Sequence, residues 1–122
     1  MNKRALLKYY LLIFGLLNIV GNAGIYLFEG LLWQPRNFPE ELMLSAVYIA
    51  LGIVMLTAAR APLKHKALID FVILSSIPHA IIMLIYHQNS FHLIDVGFIG
   101  LLGLVPLLIY PWKYKNFLRY ED

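Results

Sequence analysis

Three stretches of this chain set amides, hydroxyls and an imidazole among apolar neighbours, and those residues are where chemistry would be done. In the first, Gly15, Asn18, Asn22 and Glu29 follow spacings of three, four and seven, which places them on one stripe of a helix. In the second, Glu41, Ser45, Tyr48 and Gly52 repeat the pattern. The third carries Ser75, Ser76, His79 and Tyr86, with Pro78 able to bend a helix beside His79. Such side chains are costly in hydrocarbon, so they should turn inward toward one another. At ~1.5 Å of rise per residue, Asn18 falls near the middle of its run, and Asn22, Tyr48 and His79 each lie roughly 4–8 Å from the middle of theirs towards the same, outer side. Two roles fit. Asn, Ser, Tyr and His can hold helices together, at about 0.6–2 kcal/mol each. Alternatively, Asn18, Asn22, Glu41, Ser45, Tyr48, Ser76 and His79 line a polar pocket open to one side, with His79 as proton acceptor or ligand-orienting donor.

A second group of ligating types, Glu29, Glu40, Glu41, His87, His92 and Asp95, flanks the same stretches. His92 and Asp95 are three apart and would share a face on the first turn of a helix. Imidazole plus carboxylate suits zinc or another divalent ion. His87, His92 and Asp95 match no metal-binding spacing such as His-Glu-x-x-His, so no metal and no cofactor is expected. Asp95 then stabilises a helix N-terminus instead. Asp70, near Lys66, His65 and Arg60, reads as a structural ion pair at the start of the third helix. Gly97, Gly100, Gly103 and Pro106 read as a surface for close helix contact. The chain has no glycine-rich phosphate loop, no Gly-x-Ser-x-Gly elbow and no cysteine, so phosphate-loop, serine-elbow and thiolate chemistry have no support.

The elements that must position these residues are four apolar runs: Leu6–Phe28, Leu42–Ala59, Ala67–Tyr86 and Leu93–Trp112. The first, about 23 residues or ~34 Å as a helix, is enough for a ~30 Å hydrocarbon core. The 122 residues are 61% hydrophobic and only 14% charged, far from a soluble composition. Short connections, punctuated by Pro35, Pro39 and Pro62, make consecutive helices antiparallel neighbours. Nine of the ten Lys and Arg residues (Lys3, Arg4, Lys8, Arg60, Lys64, Lys66, Lys113, Lys115 and Arg119) fall on one side of this pattern, and only Arg36 falls on the other. Basic residues stay cytoplasmic, so both termini are expected inside. Tyr9, Tyr10, Trp33, Tyr86, Tyr110 and Trp112 mark the interfaces.

The expectation is an all-α, integral membrane four-helix antiparallel bundle, one domain over residues 1–122 with spans near 6–28, 42–59, 67–86 and 93–112. Lys3, Arg4 and Lys8 before an apolar run, with Gly21-Asn22-Ala23, also resemble a signal peptide. The run continues through Phe28, past a normal signal core, so retention is expected. The pI near 9.2 reflects basic residues that would face anionic lipid headgroups rather than nucleic acid.

Glu41, the turn Arg60, Pro62 and His65, and the pair Ser76 and His79 resemble a family of small uncharacterised four-helix bacterial inner-membrane proteins, loosely DoxX-like in architecture. Ala61 stands where that pattern often has an acid or amide. The resemblance implies a bacterial inner membrane and no established activity, and it draws attention to Glu41, His65 and His79 as a set. Glu41 and His65 belong to opposite ends of the second run, so one mononuclear site does not hold all three. Three functions remain, in this order. One is a non-catalytic binding or accessory module, with membrane lipid, a second copy or a membrane subunit as partner. Another is a small proton-coupled transporter, although the first helix carries amides where a coupling acid would sit. The last is a membrane oxidoreductase subunit, for which His79 has no second imidazole at its depth.

Overall fold

The computed structural model describes the backbone of residues 2–32, 38–86 and 90–109, and the side chains of these except 25–32, 38–42 and 90–92. It holds four helices and, among the described residues, no strand. They are α1 (Lys3–Leu32), α2 (Phe38–Ala58), α3 (Lys66–Ile85) and α4 (Ser90–Ile109). Each expected apolar run lies on one of them to within a few residues. Pro39 sits in the first turn of α2, where a missing N–H costs nothing. A 3-10 turn at Pro62–Lys64 links α2 to α3, closed by Lys64 N–H to Ala61 carbonyl at 3.0 Å and His65 N–H to Pro62 carbonyl at 3.2 Å. Pro78 and Pro106 lie inside α3 and α4, which continue past them.

Lys3–Gly24 and Lys66–Ile85 are long and apolar enough to cross a membrane, judged by length and composition. Met43–Ala58 and Leu93–Ile109 are shorter apolar helices. The chain divides into two compact units, Lys8–Arg60 and Met1–Leu7 with Ala61–Asp122.

In the Lys8–Arg60 unit, α1 and α2 meet at two glycines. A Cβ built on Gly52 would lie 2.6 Å from the Gly15 carbonyl oxygen, 2.8 Å from Ile19 Cγ1 and 3.1 Å from Asn18 Cβ. One on Gly15 would lie 3.0 Å from the Gly52 carbonyl oxygen and 3.1 Å from Leu56 Cδ2. Gly15 meets Leu56 while Ile19 meets Gly52, so the helices run antiparallel. Backbone faces backbone here, which only residues without a side chain permit.

In the other unit, Gly103 of α4 approaches Ser76 and Ile77 of α3, and Gly100 approaches Ala80. Rising numbers on α4 meet falling numbers on α3, again antiparallel. Toward the start of α3, Leu7, Ile69 and Ile73 form a buried apolar cluster, with Leu63, Ile77, Leu107 and Ile109 packed against it.

Candidate functional site

Beside a buried apolar core that includes Leu7, Leu11, Met55, Ile69 and Leu102, these helices bury some polar side chains and expose many large apolar ones. Asn18, Ser45, Asp70 and Ser76 are buried, whereas Val20, Met43, Val47, Ile81, Ile85 and Leu108 are exposed. Asn18 is 0% exposed and Leu108 is 76% exposed.

The deepest polar group is the Asn18 carboxamide. Its stripe on α1 continues from Gly15, so the glycine crossing carries it against α2. There its Nδ2 donates to Met55 Sδ at 3.7 Å. A thioether is a weak acceptor, so this bond returns little of what burying the amide costs. The Oδ1 is buried and has no hydrogen-bond partner among the described residues. Turning the carboxamide over would set its oxygen against the sulfur and strand the NH2 instead. Either orientation leaves one end open. One turn on, Asn22 is half-buried, and its Nδ2 donates to the Asn18 carbonyl at 2.8 Å.

Equal rises counted from the centre of the crossing put Asn22 and Tyr48 level with each other, about 8 Å beyond it. Ser45 lies about one turn further along α2. Tyr48 is half-buried and Ser45 buried. By this count Asn18 lies at the glycine contact, and Asn22, Tyr48 and Ser45 share the two helix stripes that run from it in one direction, a set we term the polar seam. Glu41 lies on α2 in the turn before Ser45, with its side chain outside the described residues.

In the other unit, Ser76 is buried against Gly103 and His79 is half-buried. The face expected to hold Ser75, Ser76, His79 and Tyr86 is narrower than that. Ser75 is exposed, its Oγ donating to the Val72 carbonyl at 3.4 Å, and Tyr86 is 74% exposed. Adjacent residues point ~100° apart on a helix, so Ser75 and Ser76 cannot share one buried stripe.

Asp70 lies one residue past the first turn of α3, where Lys66 Nζ donates to its Oδ2 at 2.6 Å. This is the ion pair expected from the sequence, on the i,i+4 spacing. No group of three or more His, Cys, Asp or Glu among the described residues is placed to hold a metal ion. Of the weak candidates, Asp95 is exposed on α4, His92 lies on α4 with its side chain outside the described residues, and His87 is outside them altogether.

The Asn18–Met55 contact was not legible from residue types. Met55 is seven residues past Tyr48 on the same stripe, but nothing in an apolar run marks one methionine as a hydrogen-bond acceptor. No curated protein and no solved structure matches the chain. Residues 4–110 match a family of unknown function, DUF6632, and the chain belongs to it.

Proposed function

We propose that this is a small integral membrane protein of the bacterial inner-membrane kind, loosely DoxX-like in architecture, whose four helices all span with both termini on the cytoplasmic side. It acts as a non-catalytic binding or accessory module. Its ligand site is the polar seam of α1 and α2, entered from the outer side and lined by Asn18, Asn22, Ser45 and Tyr48, with Glu41 at its mouth. In α3, Ser76 and His79 are the corresponding polar positions.

One observation carries this reading: a fully buried amide with an open acceptor, on helices that leave many large apolar residues exposed. Exposed Val20, Met43 and Val47 are the residues lipid solvates and water does not. A buried amide oxygen without a donor asks for one, and a ligand N–H or O–H or a bound water supplies it. A proton-coupled carrier would instead want a carboxylate at the depth of Asn18, and α1 has amides there. Asp70, buried in α3, is held by Lys66.

Thiol accessibility tests the reading, since the chain has no native Cys. A Ser45→Cys variant in intact cells should label rapidly with a membrane-impermeant maleimide added from outside. Asn18→Leu should leave the fold intact and reduce binding of whatever small molecule copurifies. Complete protection of Cys at position 45 in a folded variant would leave the seam as packing alone. Extraction of the chain without detergent would remove the membrane reading itself.

A further inference from the structure

We propose that the end of the α3–α4 unit nearest the 3-10 turn is a headgroup site for an anionic phospholipid, a reading that rests on the membrane placement above. Leu7, Ile69 and Ile73, with Leu63 and Ile109 packed on them, draw four chain segments together: the start of α1, the 3-10 turn, the start of α3 and the end of α4. Cations lie within a turn or so of this apolar knot in sequence. Lys3 and Arg4 precede Leu7 by four and three residues, one helical turn, Lys64 follows Leu63, and Lys66 precedes Ile69 by three.

The charge of this rim is unbalanced. Asp70 is taken by Lys66 at 2.6 Å. Lys3, Arg4 and Lys64 are exposed, and none has a carboxylate partner among the described residues. Cations crowded without counter-charge attract an anion, and an anion that also lies on hydrocarbon-like surface is held twice. That surface begins at once: Phe71 and Leu74 on α3 and Leu104 and Leu108 on α4 are large, apolar and exposed. A phosphodiester headgroup on the rim with acyl chains along those four residues matches both halves. A soluble phosphate matches only the first.

The full chain, purified in a neutral detergent, is examined by native mass spectrometry with dioleoyl phosphatidylglycerol, dioleoyl phosphatidylcholine or inorganic phosphate added. Phosphatidylglycerol adducts should survive activation and exceed phosphatidylcholine adducts several-fold. An Arg4→Gln, Lys64→Gln double variant should lose that preference, by roughly fivefold per charge removed. An Arg36→Gln variant removes the cation expected on the opposite side of the membrane and should retain it. Circular dichroism checks that both variants keep their helices. Equal loss per charge removed in the two variants would reduce the effect to bulk charge and overturn the site. Phosphate binding as strong as phosphatidylglycerol binding would also overturn it, in favour of a plain anion site. Equal binding of the two lipids by a chain that still needs detergent would end this inference and leave the membrane reading standing. A chain soluble without detergent would end both.

Discussion

The α1–α2 pair and the α3–α4 pair solve one packing problem in different ways. Both are antiparallel, and both bring backbones close at glycine. At Gly15 and Gly52 the two main chains face each other directly, whereas Gly103 receives the Cβ of Ser76 and the side chain of Ile77. Their polar groups differ more. In α3 the buried carboxylate is ion-paired within its own helix, its Oδ2 accepting from Lys66 four residues before it, while its Oδ1, like Asn18 Oδ1, is buried with no hydrogen-bond partner among the described residues. In α1 the buried amide reaches across to a sulfur and keeps one end open. The buried charge has an ion-pair partner and the buried amide only a thioether contact, so removing each should cost a different amount.

Breaking the matched pair tests the first half of that contrast, with the largest effect. Lys66→Met should destabilise the protein by about 3 kcal/mol, because it leaves the Asp70 carboxylate buried without its ammonium. A Lys66→Met, Asp70→Leu double variant should recover most of that loss. Unfolding in mixed detergent micelles, followed by circular dichroism, measures both, and a double variant as unstable as the single would show that Asp70 serves a partner beyond Lys66.

The glycine contacts come next. Gly52→Ala forces a methyl to 2.6 Å from a main-chain oxygen, and backbone yields poorly, so a loss of about 2–3 kcal/mol is expected. Gly103→Ala meets Ile77 Cγ1 at 2.9 Å, which can move, but also Ser76 Cβ at 3.0 Å and the Ile77 nitrogen at 3.3 Å, and should cost about 1–2 kcal/mol. The reverse order in the same unfolding assay would erase the distinction between the two crossings.

The smallest effect belongs to Asn18. Asn18→Leu removes a buried group that recovers little from its thioether contact, so stability should change by less than about 1 kcal/mol in either direction. A loss of several kcal/mol in ligand-free protein would mean that Asn18 is structural glue after all, and the seam would resemble the matched end of α3.

The apolar runs made the four helices legible, since length and hydropathy set helix existence before any packing is known. The inward turn of Asn18, Ser45 and Ser76 was legible as well, from stripes at spacings of three and four. Ser75 was misplaced because neighbours in sequence diverge around a helix. The glycine run of α4 shows a related limit. Gly103 is in tight contact, a Cβ on Gly100 would reach only 3.8 Å from Ala80, and one on Gly97 would meet nothing within 4 Å. A spacing of three falls ~60° short of a full turn at each step, so the three glycines rotate off any single face. The open acceptor of Asn18 was not legible either, because residue types do not say which end of a buried amide finds a partner.

The contact of Leu7 with Ile69, Ile73 and Ile109 also orders events during synthesis. At ordinary elongation rates the end of α4 leaves the ribosome on the order of ten seconds after Leu7 does. During that interval the first turn of α1 waits for α3 and α4, while about halfway through it residues 8–60 are complete and contain both halves of the Gly15–Gly52 crossing. A nascent chain arrested just past Arg60 should therefore already hold its first hairpin, and only release beyond Ile109 lets the N-terminal turn lock.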